Sequence, residues 1–174
     1  MRFAFLLPFA ALLFSGCAGY KIGPVKPKFM ADIKTIAIPA FRNETLEPRV
    51  EVILATTCIN QFQQDGTYQI VDDKDADAIL EGSMDTIQRH PARSVIGNVL
   101  QTQEYTLTIR GRFTLKKRST GQILDVRSVT GQTSFYVSGD ASVAADVNQD
   151  ERQAIPLAAQ DMATTLVTQY SEGW

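Results

Sequence analysis

Thr102-Gln-Glu-Tyr105-Thr-Leu107-Thr-Ile109-Arg110-Gly111-Arg112-Phe113-Thr-Leu115-Lys116-Lys117 alternates two kinds of side chain along its whole length. Tyr105, Leu107, Ile109, Gly111, Phe113 and Leu115 fall on one side. Thr106, Thr108, Arg110, Arg112, Thr114 and Lys116 fall on the other. A period of two is the repeat of a β-strand, whose side chains point alternately to opposite faces. One face must therefore cover a core, while the other is polar and partly basic. A sheet covered on one side and open on the other is the expected result.

Working outward, Ser119-Thr120-Gly121 reads as a tight hairpin turn, with the glycine where positive φ is needed. A further strand then runs from Gln122 towards Val137. On the other side, Ala78 to about Arg89 reads as the preceding strand, so three consecutive runs form one antiparallel meander. Further upstream, Lys34 to Phe41 is a short β-branched run ending near Pro39, and Thr67 to Val71 is another. Arg42 to Pro48 reads as a polar turn in which Asn43 or Thr45 caps the next element. From Glu47 to Gln64 the pattern becomes helical: Val50, Leu54, Cys58 and Phe62 recur every fourth residue, and Gly66 supplies a left-handed C-cap. A second helical stripe, Ile155, Ala158, Met162, Leu166 and Tyr170, runs to the C-terminus. Pro156 predicts a kink or break near residues 152–156.

The N-terminus has a separate logic. Arg2 precedes an apolar run from Phe3 to Phe14, followed by Ser15, Gly16 and Cys17. Twelve helical residues rise only about 18 Å, too short for a hydrocarbon core of about 30 Å, so the pattern predicts a secretory signal over residues 1–16. Leu13-Phe14-Ser15-Gly16-Cys17 resembles the lipobox of bacterial lipoproteins, which would make Cys17 the acylated first residue of the mature chain. More than one acyl chain anchors stably in outer-membrane lipid. Residues 17–31, with Pro24, Pro27 and three lysines, read as a tether, and 32–174 as one domain. Cys58, on an apolar stripe, reads as a buried thiol, and no intramolecular disulfide is expected once Cys17 is acylated.

With a net charge of −2, the chain is too acidic for nucleic acid to be its general target. Its single histidine, His90, lies in a predicted loop without a thiol or carboxylate cluster, so no zinc site is expected. The glycines are scattered singly and cradle no phosphate. Asp72, Asp73, Asp75 and Asp77 read as a solvated turn rather than a calcium loop. Neither a catalytic constellation nor a cofactor is predicted.

Cys17-Ala-Gly-Tyr20, Ile36-Ala-Ile-Pro-Ala-Phe-Arg-Asn43, Ala76-Asp-Ala-Ile-Leu-Glu-Gly82 and Ala158-Ala-Gln-Asp161-Met-Ala163, in that order, resemble the LPS-assembly lipoprotein family LptE. The resemblance spans nearly the whole mature chain. It implies a non-enzymatic outer-membrane lipoprotein of α+β fold, with two amphipathic helices packed on one face of a four-stranded, mostly antiparallel sheet. It further implies a domain that assembles with and plugs an LptD-type β-barrel and contacts lipopolysaccharide. Its opening strand and helix are also similar to CsgG- and LpoB-type lipoproteins, a secretion-pore subunit or an activator of a peptidoglycan synthase. Among this chain's own residues, the candidates for phosphate or partner contact are Arg89, His90 and Arg93 around one loop, Arg110 and Arg112 on the polar face, and Lys116, Lys117 and Arg118 near the hairpin. Arginine and lysine held on a rigid strand suit the phosphates of lipid A. The predicted loop from Pro91 to Gln101 adds Val95, Ile96, Val99 and Leu100, a mixture suited to an amphiphile or a barrel wall.

Overall fold

The computed structural model describes residues 26–93, 103–137 and 144–172. The signal sequence, Cys17, residues 17–25 of the expected tether, and Val95, Ile96, Val99 and Leu100 lie outside them.

Three long strands, β4 (Ala78–Arg93), β5 (Gln103–Lys117) and β6 (Ile123–Val137), form the predicted antiparallel meander. Gly121, at φ 69°, turns the chain between β5 and β6 as expected. The four-stranded, mostly antiparallel sheet is corrected: among the described residues the sheet has six strands and mixed orientation. Three short strands, β1 (Thr35–Ala37), β2 (Arg42–Asn43) and β3 (Gln69–Ile70), extend it beyond β4, and all their pairings are parallel. Both β1 and β2 lie along β4, opposite Ala78–Ile79 and Ser83–Met84 respectively. The run read as one strand to Phe41 is thus interrupted around Pro39, which has no N–H to give the ladder. It resumes at Arg42, a position expected to be turn.

Helix α1 (Val50–Asp65) ends at Gly66, whose φ of 73° confirms the left-handed cap. Its start differs from expectation. Arg49 is the N-cap, itself at φ 67°, and makes no side-chain cap. Asn43 instead braces the preceding loop, donating to the Glu47 carbonyl and the Glu51 carboxylate while accepting from the Thr45 amide and hydroxyl. Helix α2 (Ala144–Ser171) contains Pro156 and runs through it without a break.

Both helices cover one face of the sheet. Leu54, Cys58 and Phe62 of α1 meet Ala158, Met162, Leu166 and Tyr170 of α2 over a floor of Leu80, Met84, Leu107, Ile109, Phe113 and Val129. Gly131 fixes how closely α2 approaches: a Cβ there would lie 2.1 Å from the Ala158 carbonyl oxygen and 2.7 Å from the Met162 nitrogen. Any side chain would push the helix off β6. The core also reaches into the segment expected as a tether, since Lys28–Met30 forms a 3-10 turn with Met30 fully buried.

Candidate docking surface

The face of the meander away from the helices is uncovered among the described residues. Strand β5 contributes Glu104, Thr106, Thr108, Arg110, Arg112, Thr114 and Lys116. Their partners across β6 are Tyr136, Ser134, Gln132, Thr130, Ser128, Val126 and, past a bulge, Ile123. Opposite residues of an antiparallel pair share a face, so this side is a field of hydroxyls, amides and charges. Ile123, Val126 and Tyr136, each more than half exposed, are its apolar members on β6.

The seven basic candidates do not form one cluster. Arg112 is held by Asp85 at 3.1 Å, and Asp85 in turn accepts from the Ser83 hydroxyl. Lys116 lies 2.6 Å from Glu81. Arg110 is exposed and has no ion pair among the described residues. Arg89 sits on the other face: a bulge between Met84 and Thr86 shifts the register, places Arg89 opposite the buried Leu107, and lets it reach Glu151 of α2 at 2.8 Å. The expected loop around Arg89, His90 and Arg93 is also corrected. All three belong to β4, opposite Leu107, Thr106 and Glu104, because the hairpin arm is longer than periodicity indicated. Lys117 and Arg118 stand at the far end, where the Arg118 amide donates to the Asp77 carbonyl. From Arg89 to Lys116 the sheet spans roughly 30 Å at about 3.3 Å per residue.

Sequence patterns missed the acids that neutralise these cations, because Glu81, Asp85 and Glu151 meet them only through strand register and helix packing. They also missed Arg127. This side chain lies on the helix side, bonded to Asp125 at 2.5 Å and Gln169 at 3.0 Å and stacked 4.3 Å over the Tyr170 ring. Phe29 packs edge-on to Tyr170, so this cluster holds the incoming chain against α2.

Nothing in this geometry arms a nucleophile. Burial pushes the Cys58 thiol up to about 12, so it remains protonated and inert. Burial, with Asp65 nearby, likewise raises the Tyr68 hydroxyl to about 12, and that hydroxyl donates to the Tyr170 carbonyl. Among the described residues no group of three or more His, Cys, Asp or Glu is arranged to hold a metal, and no helix is long and apolar enough to cross a membrane. A cavity of about 290 Å³ is lined by Pro48, Val52 and Ile155 together with Glu47 and Arg152, which pair with each other at 3.1 Å.

Two helices packed on one side of a mixed sheet whose other side is open among the described residues define the class, an α+β fold. The chain belongs to the LptE family, described as lipopolysaccharide-assembly, whose family model matches residues 33–170. Its fold is shared with a Helicobacter pylori homolog of neuraminyllactose-binding hemagglutinin, at a TM-score of 0.53 and 11% identity over 88% of this chain and 90% of that one. A minor lipoprotein from Acinetobacter baumannii aligns at a TM-score of 0.48 and 20% identity, over 80% and 91% of the two chains. A subunit of the PelC dodecamer from Paraburkholderia phytofirmans aligns at 0.45 and 13%, over 80% and 88%. No curated protein gives a significant match.

Proposed function

We propose that this LptE-family chain is an outer-membrane lipoprotein that assembles with an LptD-type β-barrel, plugs it, and contacts lipopolysaccharide without performing catalysis. The observation that carries this reading is the uncovered face of β4–β6, rigid, polar and backed by a continuous core. A face of hydroxyls and amides suits the polar lumen of a large barrel better than a lipid interior, where unsatisfied polar groups are costly. Arg110 has charge to offer a phosphate, whereas Arg112 and Lys116 first have to exchange an acidic partner for one. Arg93, Lys117 and Arg118 are candidates for contact at the two ends of the sheet. Arg89, tied to Glu151, serves the fold first.

Lipidation at Cys17 places the domain. Lys26, where the described domain starts, lies nine residues beyond it, so the anchor is within about 30 Å at full extension. Cys17→Ser is expected to abolish palmitate labelling and release the chain from the membrane fraction. Co-expression of the full chain with the barrel, followed by purification in mild detergent, tests the reading as a whole. Recovery of an equimolar complex supports it. A detergent-resistant ring of this chain alone, or capture of a peptidoglycan synthase without the barrel, overturns it.

A further inference from the structure

The two edges of the long-stranded meander are built differently. Beyond Met84, where β2 ends its pairing, β4 presents Arg89, His90, Pro91 and Arg93 and carries bulges after Met84 and Pro91. Charge, proline and bulges are the usual devices that stop a foreign strand from pairing. The outer edge of β6 beyond Arg127 has none of them. From Ser128 to Val137 the sequence is Ser-Val-Thr-Gly-Gln-Thr-Ser-Phe-Tyr-Val, without charge or proline, and its register against β5 is unbroken. The Gln132 amide points away from β5 and donates to the Asp161 carboxylate of α2 at 2.9 Å. By antiparallel alternation, Ser128, Thr130, Ser134 and Tyr136 also aim their backbone groups outward. Among the described residues no strand pairs with them.

We propose that the β6 edge from Ser128 to Tyr136 accepts a lone extended segment of another protein by backbone pairing, with Asp161 closing the edge at Gln132 until that segment arrives. A second copy of this chain paired antiparallel does not fit. Antiparallel pairing of two β6 strands would put both α2 helices on the same face of the joined sheet. Each α2 lies directly over its own β6 at Gly131, where the Ala158 backbone occupies the Cβ position. The two helices would then be about one strand spacing apart, ~4.8 Å, whereas packed helices need about 8–10 Å. The occupant is therefore a strand with no helix above that side. The tract Ser128–Val137 itself carries no charge, which favours a segment of small hydroxyl, amide and β-branched residues, with Asp161 the acid that meets this edge at Gln132. This rests on the proposed role, in which the barrel subunit supplies that segment.

Amide hydrogen exchange on the free full-length chain and on its purified complex with the co-expressed barrel subunit provides the test. Protection of the Ser128, Thr130, Ser134 and Tyr136 amides by tenfold or more in the complex is expected. Ser134→Pro removes one outward N–H and should lower complex yield by tenfold or more. Ser134→Lys, which keeps the backbone intact, should do the same if the proline variant folds poorly. Asp161→Ala should leave the yield undiminished and speed exchange at Gln132 in the free chain. A complex that forms while these amides exchange as in the free chain overturns the inference, as does normal yield from both Ser134 variants. A dimer of this chain with the same amides protected overturns the choice of occupant. Failure of the unaltered chain to bind the barrel defeats the proposed function instead.

Discussion

Two residues concentrate the physics of single side chains. At Gly131 the obstacle to a methyl group is helix backbone, which cannot rotate away, so Gly131→Ala is expected to cost about 3 kcal/mol, the upper end of overpacking. Urea denaturation at neutral pH measures it, and a loss below about 0.5 kcal/mol would mean α2 can lift off β6 freely. Asp77 receives the backbone amides of Lys34 and Thr35, at 2.9 and 3.0 Å, and these hold its carboxyl below its ordinary value. A group depressed in the folded state contributes fully above its unfolded pKa of about 3.9, and that contribution disappears as pH falls through the lower folded value. The native chain should therefore lose stability below about pH 4 more steeply than Asp77→Asn. Parallel denaturation curves for the two through the acid range would contradict this assignment. Neither residue stood out in the sequence. Gly131 was one of several scattered glycines, and Asp77 one of four acids in a charged turn, and only the packing of distant segments distinguishes them.

At the scale of elements, α2 carries an unusual internal proline. Pro156 withholds one backbone donor and crowds the preceding turn, yet Ala154, Ile155, Ala158 and Ala159 around it are buried. Their burial offsets an interior proline's cost of about 3 kcal/mol. Pro156→Ala should thus raise stability, by up to about 3 kcal/mol, with unchanged helical content by circular dichroism. A destabilised variant would show that the proline's geometry is required by the packing. The stripe of α2 and the alternation of β5 were both legible because each follows one period over many residues. Strands β1, β2 and β3 were only partly legible, because two or three residues are too few to express a period. Their parallel pairing depends on where α1 returns the chain.

For the whole molecule, the open face sets the terms. Surface ion pairs such as Arg112–Asp85 and Lys116–Glu81 contribute at most about 1 kcal/mol each. Their larger effect is to lower the positive field that this face presents. Arg110→Glu is expected to leave thermal unfolding within a few degrees of the native value and to reduce recovery of the barrel complex several-fold. Unchanged recovery would remove the open face from the docking surface. Of the predicted basic residues, Arg110, Arg112 and Lys116 lie on the open face, the last two in ion pairs. Arg89 lies on the other face, and one bulge explains it. Simple alternation from Ala78, Leu80 and Met84 would turn Arg89 outward, but the extra residue at Asp85 reverses the parity and sends it to Glu151.

The amino-acid order by itself determined the alternating faces of β5, the apolar stripes of both helices, and the glycine-closed ends at Gly66 and Gly121. Each is settled by local periodicity or by the φ a glycine can reach. Tertiary structure alone decided the parallel strands beyond β4, the seating of α2 on Gly131, the pairing of each arginine, and the contrast between the two sheet edges. Those depend on which distant backbone comes within a few ångströms, a property of the closed chain that no single stretch of it contains.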